Sequence, residues 1–520
     1  MAYEVVVVGG GIGGLTVAAL LAERGINVCL LEREPGVGGC AASFDKFGFS
    51  FEQGDGLYSS WQPNEIHDRV FSELPVDPPE VRLVEPSYAV RLPDQSQIQV
   101  TGNTEQFEES LRTVFPECAD NAVAFYRKLS PLSAALRRCL QRMPDFISAS
   151  KSRRTYCLMS EGRIAYQILT CANQAATEHL SGVSSRFSRF IDVQLQMLAQ
   201  GSSKQVNYLD AALSLSAPQA GLFAIRGGAS ALAKRLEESI RRSGGKIRLD
   251  TPVLRLSYDS KGTAVGVDLL SGETVTASKA IISNLTLWET YGKLVGLDRT
   301  PPEIRKQLKA LRGWGAYLLY LALEEEATKS LSSNHVLALM DWQEGRDFDP
   351  EHNQFLFAAA PAWDSRAPHG KRAVTLHAFT DVDEWFTFHK DETELEQRDQ
   401  EMLEACWRQL HSAMPELGSS IEVIETATPR SFYDLTRRKL GMVGGAIPAP
   451  DHFWVKYPGY QTLLPNLFIV SDTVQSGGIA GVTRSALVLA DKLAPTAVRR
   501  RRHGVGKWLD NWVVSSVYMH

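Results

Sequence analysis

The sequence has little of what marks metal-binding, membrane-spanning and nucleic-acid-binding proteins. Its seven cysteines include no Cys-x-x-Cys pair, so their spacing predicts no metal site and fits a reducing compartment. No run approaches the ~20 uninterrupted apolar residues of a spanning helix, and no basic signal-like segment precedes the first predicted strand. The net charge of −5 gives no overall basic field for nucleic acid. We therefore expect a cytoplasmic protein that binds neither metal nor nucleic acid.

The length and composition predict a folded protein with more than one core. A chain of 520 residues is too long for a single simple core. Hydrophobic residues make up 44% of it and charged residues 22%, which are ordinary values for globular proteins. We expect two intertwined domains.

A glycine-rich turn near the start lies between a predicted strand and a predicted helix. The β-branched run from Tyr3 to Val8 indicates a buried parallel strand, and Gly9-x-Gly11-x-x-Gly14 follows it directly. Glycines permit a tight turn and a close approach to a pyrophosphate, while a helix N-terminus offers unpaired N–H groups. The alternative is a glycine turn in an ordinary α/β fold. The complete strand, turn and helix favour a nucleotide site.

An acidic residue closes this nucleotide-binding unit. A second apolar run from Asn27 to Leu31 ends at Glu32, eighteen residues after Gly14. A carboxylate there can accept hydrogen bonds from both ribose hydroxyls, and it disfavours a 2′-phosphate. The position predicts FAD or NAD rather than NADP.

A second glycine-rich loop distinguishes FAD from NAD as the predicted cofactor. It runs from Arg33 to Cys40 and contains Gly38 and Gly39, whereas an NAD dehydrogenase needs no further glycine turn here. With this loop the sequence resembles the amine-oxidase and phytoene-desaturase superfamily of flavoproteins. The resemblance implies that the loop reaches the FAD pyrophosphate and that the next hairpin lies beside the isoalloxazine. The alternative is a surface β-turn.

The middle of the chain predicts a helical region and several strands. Helical spacing of apolar residues runs from Thr104 to about Ala199, which we interpret as a cap over a substrate cavity. Simple helical packing would give the same pattern. Hairpins are predicted at 88–100 and 253–269, and the resemblance implies that the backbone of Val253 contacts adenine.

The last predicted strand ends at Asp472 and precedes a helix from Arg484 to Leu493. The resemblance implies that this carboxylate bonds the ribityl chain and that the helix N-terminus faces the flavin. A helix N-cap is the alternative for Asp472. The predicted FAD ligands are Gly9, Gly11, Gly13, Gly14, Glu32, Arg33, Gly38, Gly39, Val253, Asp472, Ala480 and Val482.

Segments outside the nucleotide motifs narrow the resemblance. The runs at 71–74, 85–90, 190–196 and 428–430 are similar to those of cyanobacterial carotenoid C-3′,4′ desaturases. The similarity covers about residues 4 to 493. Three positions depart from the usual pattern: Ser471 and Ser476 replace a glycine and a proline, and Glu52 replaces an aspartate. These departures weaken the substrate assignment more than the cofactor assignment.

The resemblance implies an oxidoreductase acting on a lipophilic polyene. A hydride leaves an allylic carbon for flavin N5, the conjugated chain delocalises the resulting cation, and a neighbouring proton is lost. No strong base is needed, and we nominate no catalytic side chain. Alternatives are a carotenoid isomerase, a retinol saturase, an amine or amino-acid oxidase, and a non-catalytic flavin scaffold. The expected electron acceptor is oxygen or a quinone.

These inferences give an α/β fold with a Rossmann-like FAD-binding domain and an interleaved α+β substrate domain. We assign residues 1–90, 220–300 and 455–498 to the first domain, and 91–219 and 301–454 to the second. The tail at 499–520 carries five basic side chains and one acid, with Trp508 and Trp512. Such a segment suits an anionic bilayer surface, although a disordered tail is the alternative. We expect peripheral membrane association through the tail or the helical cap.

Overall fold

The structure is a computed structural model that describes residues 2–342, 345–386, 392–450, 453–454, 460–474 and 477–495. The predicted tail at 499–520 and the departure at Ser476 lie outside these residues. Within the described ranges, no helix is both long enough and apolar enough to cross a membrane.

The strands in chain order are β1 (Ala2–Val8), β2 (Val28–Leu31), β3 (Ser43–Lys46), β4 (Phe49–Glu52), β5 (Val81–Leu83), β6 (Tyr88–Arg91), β7 (Gln97–Val100), β8 (Phe223–Ile225), β9 (Lys246–Arg248), β10 (Val253–Tyr258), β11 (Ala264–Leu269), β12 (Thr274–Ser283), β13 (Gly315–Glu324), β14 (His335–Leu339), β15 (Gln354–Ala359), β16 (Lys371–Thr380), β17 (Ile421–Ala427) and β18 (Leu467–Ile469).

The α-helices are α1 (Ile12–Glu23), α2 (Ile66–Phe71), α3 (Thr104–Val114), α4 (Ala119–Arg142), α5 (Lys151–Met159), α6 (Arg163–Cys171), α7 (Ser185–Ala199), α8 (Tyr208–Leu215), α9 (Ala217–Ala220), α10 (Gly228–Arg242), α11 (Leu287–Glu289), α12 (Pro302–Ala310), α13 (Glu392–Ala413), α14 (Pro429–Thr436) and α15 (Gly478–Leu493).

The first large sheet has a parallel centre. Its order is β10-β11-β12-β1-β2-β9, and β18 also pairs with β12. The pairs of β1 with β12 and β2, of β2 with β9, and of β12 with β18 are parallel. Val5, Val6 and Val7 of β1 are fully buried, as expected for a strand covered on both faces. The predicted buried parallel strand is confirmed.

The second large sheet is mainly antiparallel and has the order β17-β13-β16-β15-β14-β6-β7. One face packs its apolar side chains against α13. On the other face, Leu318 and Tyr320 pack with Phe49 and Phe51 of the β3–β4 hairpin. Strand β6 belongs to this sheet because Val90 pairs with Leu337 of β14. The predicted domain division after residue 90 therefore falls inside a strand of the second sheet.

Helices α3 to α7 form the predicted helical region, and α8 and α9 extend it beyond the predicted end. All seven helices share one apolar core with β6, β7 and part of β14. Helices α1, α10 and α15 cover one face of the first sheet. The described chain thus has a Rossmann-like α/β half and an α+β half, as predicted. The FAD-binding and substrate-binding boundaries themselves stay predictions.

Candidate functional site

The carboxyl ends of β1, β2, β12 and β18 lie at one edge of the first sheet, where ligands bind in open α/β sheets. The first glycine loop connects β1 to α1 at this edge. Gly9 has a φ of +99°, which a residue with a side chain rarely adopts, and its N–H donates to the Leu31 carbonyl at 2.9 Å. The loop therefore turns directly from the strand end into the helix N-terminus.

Asn284, immediately after β12, lies against this loop. A Cβ on Gly11 would stand 2.7 Å from Asn284 Oδ1, and one on Gly13 would stand 2.8 Å from Asn284 Nδ2. The amide donates to the Val470 carbonyl at 2.6 Å and so joins the ends of β12 and β18. Sequence reasoning assigned Asn284 no role. An amide directly after a strand in the nucleotide sheet was the available signal.

Gly14 does not line the cavity; it allows α1 to pack closely on β1. A Cβ there would stand 2.2 Å from the Gly9 carbonyl oxygen, so only glycine lets α1 approach β1 this closely. All the other predicted ligands line the cavity described below.

Glu32 organises the backbone at the end of β2. Its Oε2 accepts from the Gly10 N–H at 2.6 Å, and its Oε1 accepts from the Glu34 N–H at 2.9 Å. Each carboxylate oxygen keeps a further lone pair for a ligand hydroxyl. The same carboxylate therefore holds the first glycine loop and faces the cavity.

The second glycine loop lies on the first. Gly38 has a φ of +125°, and its N–H donates to the Gly10 carbonyl at 2.8 Å. A Cβ on Gly39 would stand 3.5 Å from Gly11 Cα. Arg33, at the start of this loop, donates to the Leu435 carbonyl of α14 at 2.7 Å. Two bare backbone segments thus form one continuous wall.

Asp472 forms an ion pair that sequence reasoning missed. Nη1 of the buried Arg438 lies 3.0 Å from Asp472 Oδ2, and Nε of Arg438 donates to the Met442 carbonyl at 2.7 Å. Burial opposes the charge of Arg438, but the Asp472 carboxylate outweighs it and raises the pKa of the guanidinium. Gly477, with a φ of +96°, is the N-cap of α15. The helix-cap alternative for Asp472 is therefore wrong.

The hydroxyl of Ser471 donates to Asp472 Oδ1 at 3.2 Å. The extra side chain at this position thus bonds the neighbouring carboxylate. Val253 begins β10, while Ala480 and Val482 lie in the first turns of α15. All three line the cavity, so the N-terminus of α15 faces the cavity; that it faces the flavin stays a prediction.

A polar cluster fixes the hairpin near this cavity. Glu52 Oε1 accepts from the Ala229 N–H at 2.9 Å, and Arg366 lies between Glu52 and Asp364 at 2.9 and 2.8 Å. Asp364 also accepts from the Gly227 N–H at 3.0 Å. The departure at Glu52 therefore has a complete set of partners. Nothing in the local sequence linked residues 52, 227 and 364.

One cavity of about 1710 Å³ connects this edge with the space below the helical cap. Common ligand pockets hold ~300–1,000 Å³, so this volume accommodates more than one ligand of that size. Its far end is mainly apolar and is formed by the cap and by the inner face of the second sheet, with Leu140, Ile147, Met197, Leu198, Leu213, Leu337, Leu356 and Phe379.

Burial shifts several titratable groups of the cavity wall toward their neutral forms. Burial raises the pKa of Asp55 to about 6 and that of Asp210 to about 7. Burial also lowers the pKa of His377 to about 4, so its imidazole is uncharged at neutral pH. The described residues contain no cluster of histidine, cysteine or carboxylate side chains suited to a metal ion.

Residues 12–494 match the model of the family described as flavin containing amine oxidoreductase. The chain belongs to this family. It is 23% identical to the chloroplastic prolycopene isomerase of Arabidopsis thaliana over 95% of this chain and 82% of that protein. It is 24% identical to the all-trans-retinol 13,14-reductase of Danio rerio over 93% of this chain and 84% of that protein.

Solved structures show the same fold. An oxidoreductase from Methanosarcina mazei aligns with a TM-score of 0.62 and 18% identity, covering 94% of this chain and 100% of its own. A triple mutant of putrescine oxidase aligns with a TM-score of 0.62 and 14% identity, covering 94% and 98%. This flavin containing amine oxidoreductase is therefore an FAD-dependent enzyme with the predicted fold.

The edge of the first sheet fits FAD. Gly11 and Gly13 leave a cradle that side chains would fill, and the N-termini of α1 and α15 offer positive dipole ends to phosphates and to the flavin. Glu32 has lone pairs for ribose hydroxyls, and Asp472 has them for the ribityl chain. The contacts of the individual ligands with FAD stay predictions.

Proposed function

We propose that this FAD-dependent enzyme desaturates a carotenoid, with the C-3′,4′ bond as its site of action. The observation that carries the proposal is the large apolar compartment that continues from the nucleotide edge under the helical cap. A long polyene has apolar surface along its whole length, which such a compartment buries.

The charges in the cavity wall support a polyene over an amine. A carboxylate that holds an ammonium group has its pKa lowered by that partner. Asp55 and Asp210 instead have pKa values raised by burial, to about 6 and about 7. Burial therefore shifts both carboxyl groups toward their uncharged forms, which suit a neutral apolar ligand better than a cation.

The protein's own residues bind, orient and exclude water. Bound FAD supplies a hydride acceptor at N5. The cap and the second sheet enclose the polyene, so that one carbon–hydrogen bond is held in a water-poor space. Charge spread over the conjugated chain removes the need for a strong base.

An isomerase or a saturase of polyenes is the second candidate. The relatives named prolycopene isomerase and all-trans-retinol 13,14-reductase favour it, since both names describe reactions on conjugated chains. The same apolar compartment serves all three reactions. They differ in the direction of electron flow. A desaturase passes electrons to the flavin, a saturase takes electrons from it, and an isomerase leaves its redox state unchanged overall.

Anaerobic single-turnover spectra separate these reactions. Purified holoenzyme is mixed with neurosporene-type, lycopene-type and γ-carotene-type substrates in vesicles. For a desaturase we expect a red-shifted polyene spectrum and one equivalent of flavin reduced per bond formed. An isomerase changes only the cis-peak, and a saturase shifts the spectrum to the blue only after the flavin is reduced.

A variant that cannot hold FAD provides the control. Gly13→Val places atoms where a Cβ already stands 2.8 Å from the Asn284 amide, whereas Gly292→Ala meets no atom within 4 Å and lies outside the cavity wall. Only the second variant should keep activity. Oxidation of amines without any change in the polyenes would contradict the proposal. Repeating the turnover with oxygen or with a quinone identifies the acceptor, which we propose to be one of these two.

A further inference from the structure

Two consecutive cap helices expose large apolar side chains to solvent. Tyr156 and Met159 of α5 are 63% and 75% exposed, and Tyr166 and Leu169 of α6 are 72% and 52% exposed. Ten large apolar side chains are at least 52% exposed among the described residues, and four of them fall within these fourteen positions. Such clustering marks an interaction surface rather than ordinary scatter.

The inner faces of the same helices are firmly packed. Cys157 and Leu158 of α5 and Ile168 of α6 are buried in the cap core. The turn between the helices is held to α4 by Glu161, which pairs with Arg138 at 2.6 Å and also with Arg142. The exposed apolar side chains therefore lie on helices whose opposite faces are already packed in the cap core.

The surrounding charge is positive on a protein of negative net charge. Residues 138–173 contain six arginines and lysines but only two acids, within a chain of net charge −5. Both acids, Asp145 and Glu161, are paired with arginines. Lys151 and Arg163 are exposed and have no carboxylate partner in the part of the chain that the structure describes.

This surface adjoins the apolar end of the cavity. Gln141, Pro144 and Ile147 line the cavity, and α5 begins four residues after Ile147. Gln141 is also exposed to solvent, so the cavity reaches the surface beside the end of α4. A ligand that enters there passes the base of α5.

We propose that α5 and α6 form a docking face for an anionic lipid bilayer, consisting of Tyr156, Met159, Tyr166 and Leu169 with Lys151 and Arg163. Tyrosines and apolar side chains flanked by unpaired cations suit the headgroup region of such a bilayer. The choice of a bilayer over a protein partner rests on the proposed function, because a polyene is stored in lipid.

Vesicle co-sedimentation of the full-length holoenzyme tests the docking face without any turnover. The variants are Tyr156→Ser with Met159→Ser, Tyr166→Ser with Leu169→Ser, and all four together. The matched control is Leu270→Ser with Leu463→Ser, which removes side chains 68% and 67% exposed elsewhere. Vesicles of phosphatidylcholine with and without phosphatidylglycerol, at low and high salt, complete the design.

We expect the fourfold variant to bind phosphatidylglycerol vesicles at least roughly tenfold more weakly, while the control binds as the unchanged protein does. We also expect added salt to weaken the binding that remains. Unchanged binding by the fourfold variant, or equal loss in the control, overturns the proposal. Binding that ignores phosphatidylglycerol overturns it as well. Every protein compared contains the tail at 499–520, so a difference in vesicle binding between them does not come from the tail.

Substrate delivery then separates this proposal from the proposed reaction. With the polyene supplied in vesicles, the fourfold variant should turn over more slowly. With the polyene supplied in detergent, it should match the unchanged protein. Loss of binding without any polyene turnover by the parent enzyme would support the docking face and contradict the proposed function.

Discussion

Arg438 carries its charge inside the protein, and Asp472 is the carboxylate that pairs with it. The guanidinium also donates to the carbonyls of Met442 and Gly444, so it joins the strand end at β18 to the segment after α14. A carboxylate whose only role is to bind a ligand can normally be substituted without loss of stability of the apo-protein. Here the same side chain also neutralises a buried cation.

Replacing Asp472 should therefore destabilise the apo-protein as well as weaken FAD binding. Removing one partner of a buried pair costs about 3–5 kcal/mol, and the partial exposure of Asp472 reduces our expectation to about 1–3 kcal/mol for Asp472→Ala. Asp472→Asn keeps an acceptor for Arg438 and should lose less. Denaturant unfolding of the flavin-free proteins measures the difference. Equal unfolding free energies for all three would show that the ion pair adds nothing.

At the scale of one residue, Asp210 makes the stability of the folded protein depend on pH. Its pKa is raised by burial to about 7, above the ordinary value of 3.8, so the folded state retains a proton that the unfolded state has lost. Stability therefore falls as the pH rises from about 4 to about 7. Asp210→Asn removes this dependence and should gain about 1–2 kcal/mol over the wild type by pH 7.

Thermal unfolding of both proteins at pH values below and above this interval checks the expectation. The gap between them should be small in acid and wider near neutrality. A gap that is constant across the interval would assign the effect of the substitution to packing rather than to titration.

At the scale of elements, the contact between β1 and α1 depends on a missing side chain. Gly14→Ala would place a Cβ 2.2 Å from the Gly9 carbonyl oxygen, and the backbone cannot yield without displacing the helix. Overpacking of this kind costs about 1–3 kcal/mol, and the displaced helix N-terminus should also weaken FAD binding. Gly292→Ala has open space, lies outside the cavity wall and should change neither quantity. FAD titration and unfolding of both variants test this, and similar values for the two would refute the packing role.

The elements that the sequence predicts well are those with a strong local pattern. The predicted strand from Tyr3 to Val8 is β1, and the hairpins at 88–100 and 253–269 are β6–β7 and β10–β11. The predicted last strand is only Leu467–Ile469, and α15 begins at Gly478 instead of near Arg484. Gly477 and Gly478 are typical of a loop by local pattern, but the helix extends to Gly478, and Ala480 and Val482 in its first turns are buried.

The site shows the same division between local and distant information. The glycine positions follow from the turn that they must make. Asn284 against Gly11, Arg438 against Asp472 and Arg366 against Glu52 join residues 34 or more positions apart. No local pattern specifies such pairs, because each depends on the tertiary arrangement of segments that are distant in the chain.

At the scale of the whole molecule, the cofactor wall combines both ends of the chain. Residues between 9 and 39 supply one side, residues 472–474 and 477–480 with Val482 supply another, and α1 packs on α15. A ligand that binds only the folded state stabilises it by about 2.7 kcal/mol at a hundred times its Kd. We expect added FAD to raise the unfolding midpoint of the entire protein in one cooperative step.

Calorimetry at increasing FAD concentrations measures this coupling, with Gly13→Val as the protein that should not respond. If one unfolding transition shifts with FAD concentration while a second transition does not, the two halves unfold separately.

The parallel pairing of β1 with β12 also has a consequence for synthesis. Ala2 pairs with Thr276, so the second neighbour of β1 emerges from the ribosome 274 residues later. At ~5–20 residues per second, this takes roughly 15–55 s, during which the run of four valines lacks a partner on one edge. An unpaired apolar edge is the usual template for aggregation. The amount of active enzyme in a cell should therefore depend on translation rate and chaperone supply more than on the stability of the finished fold.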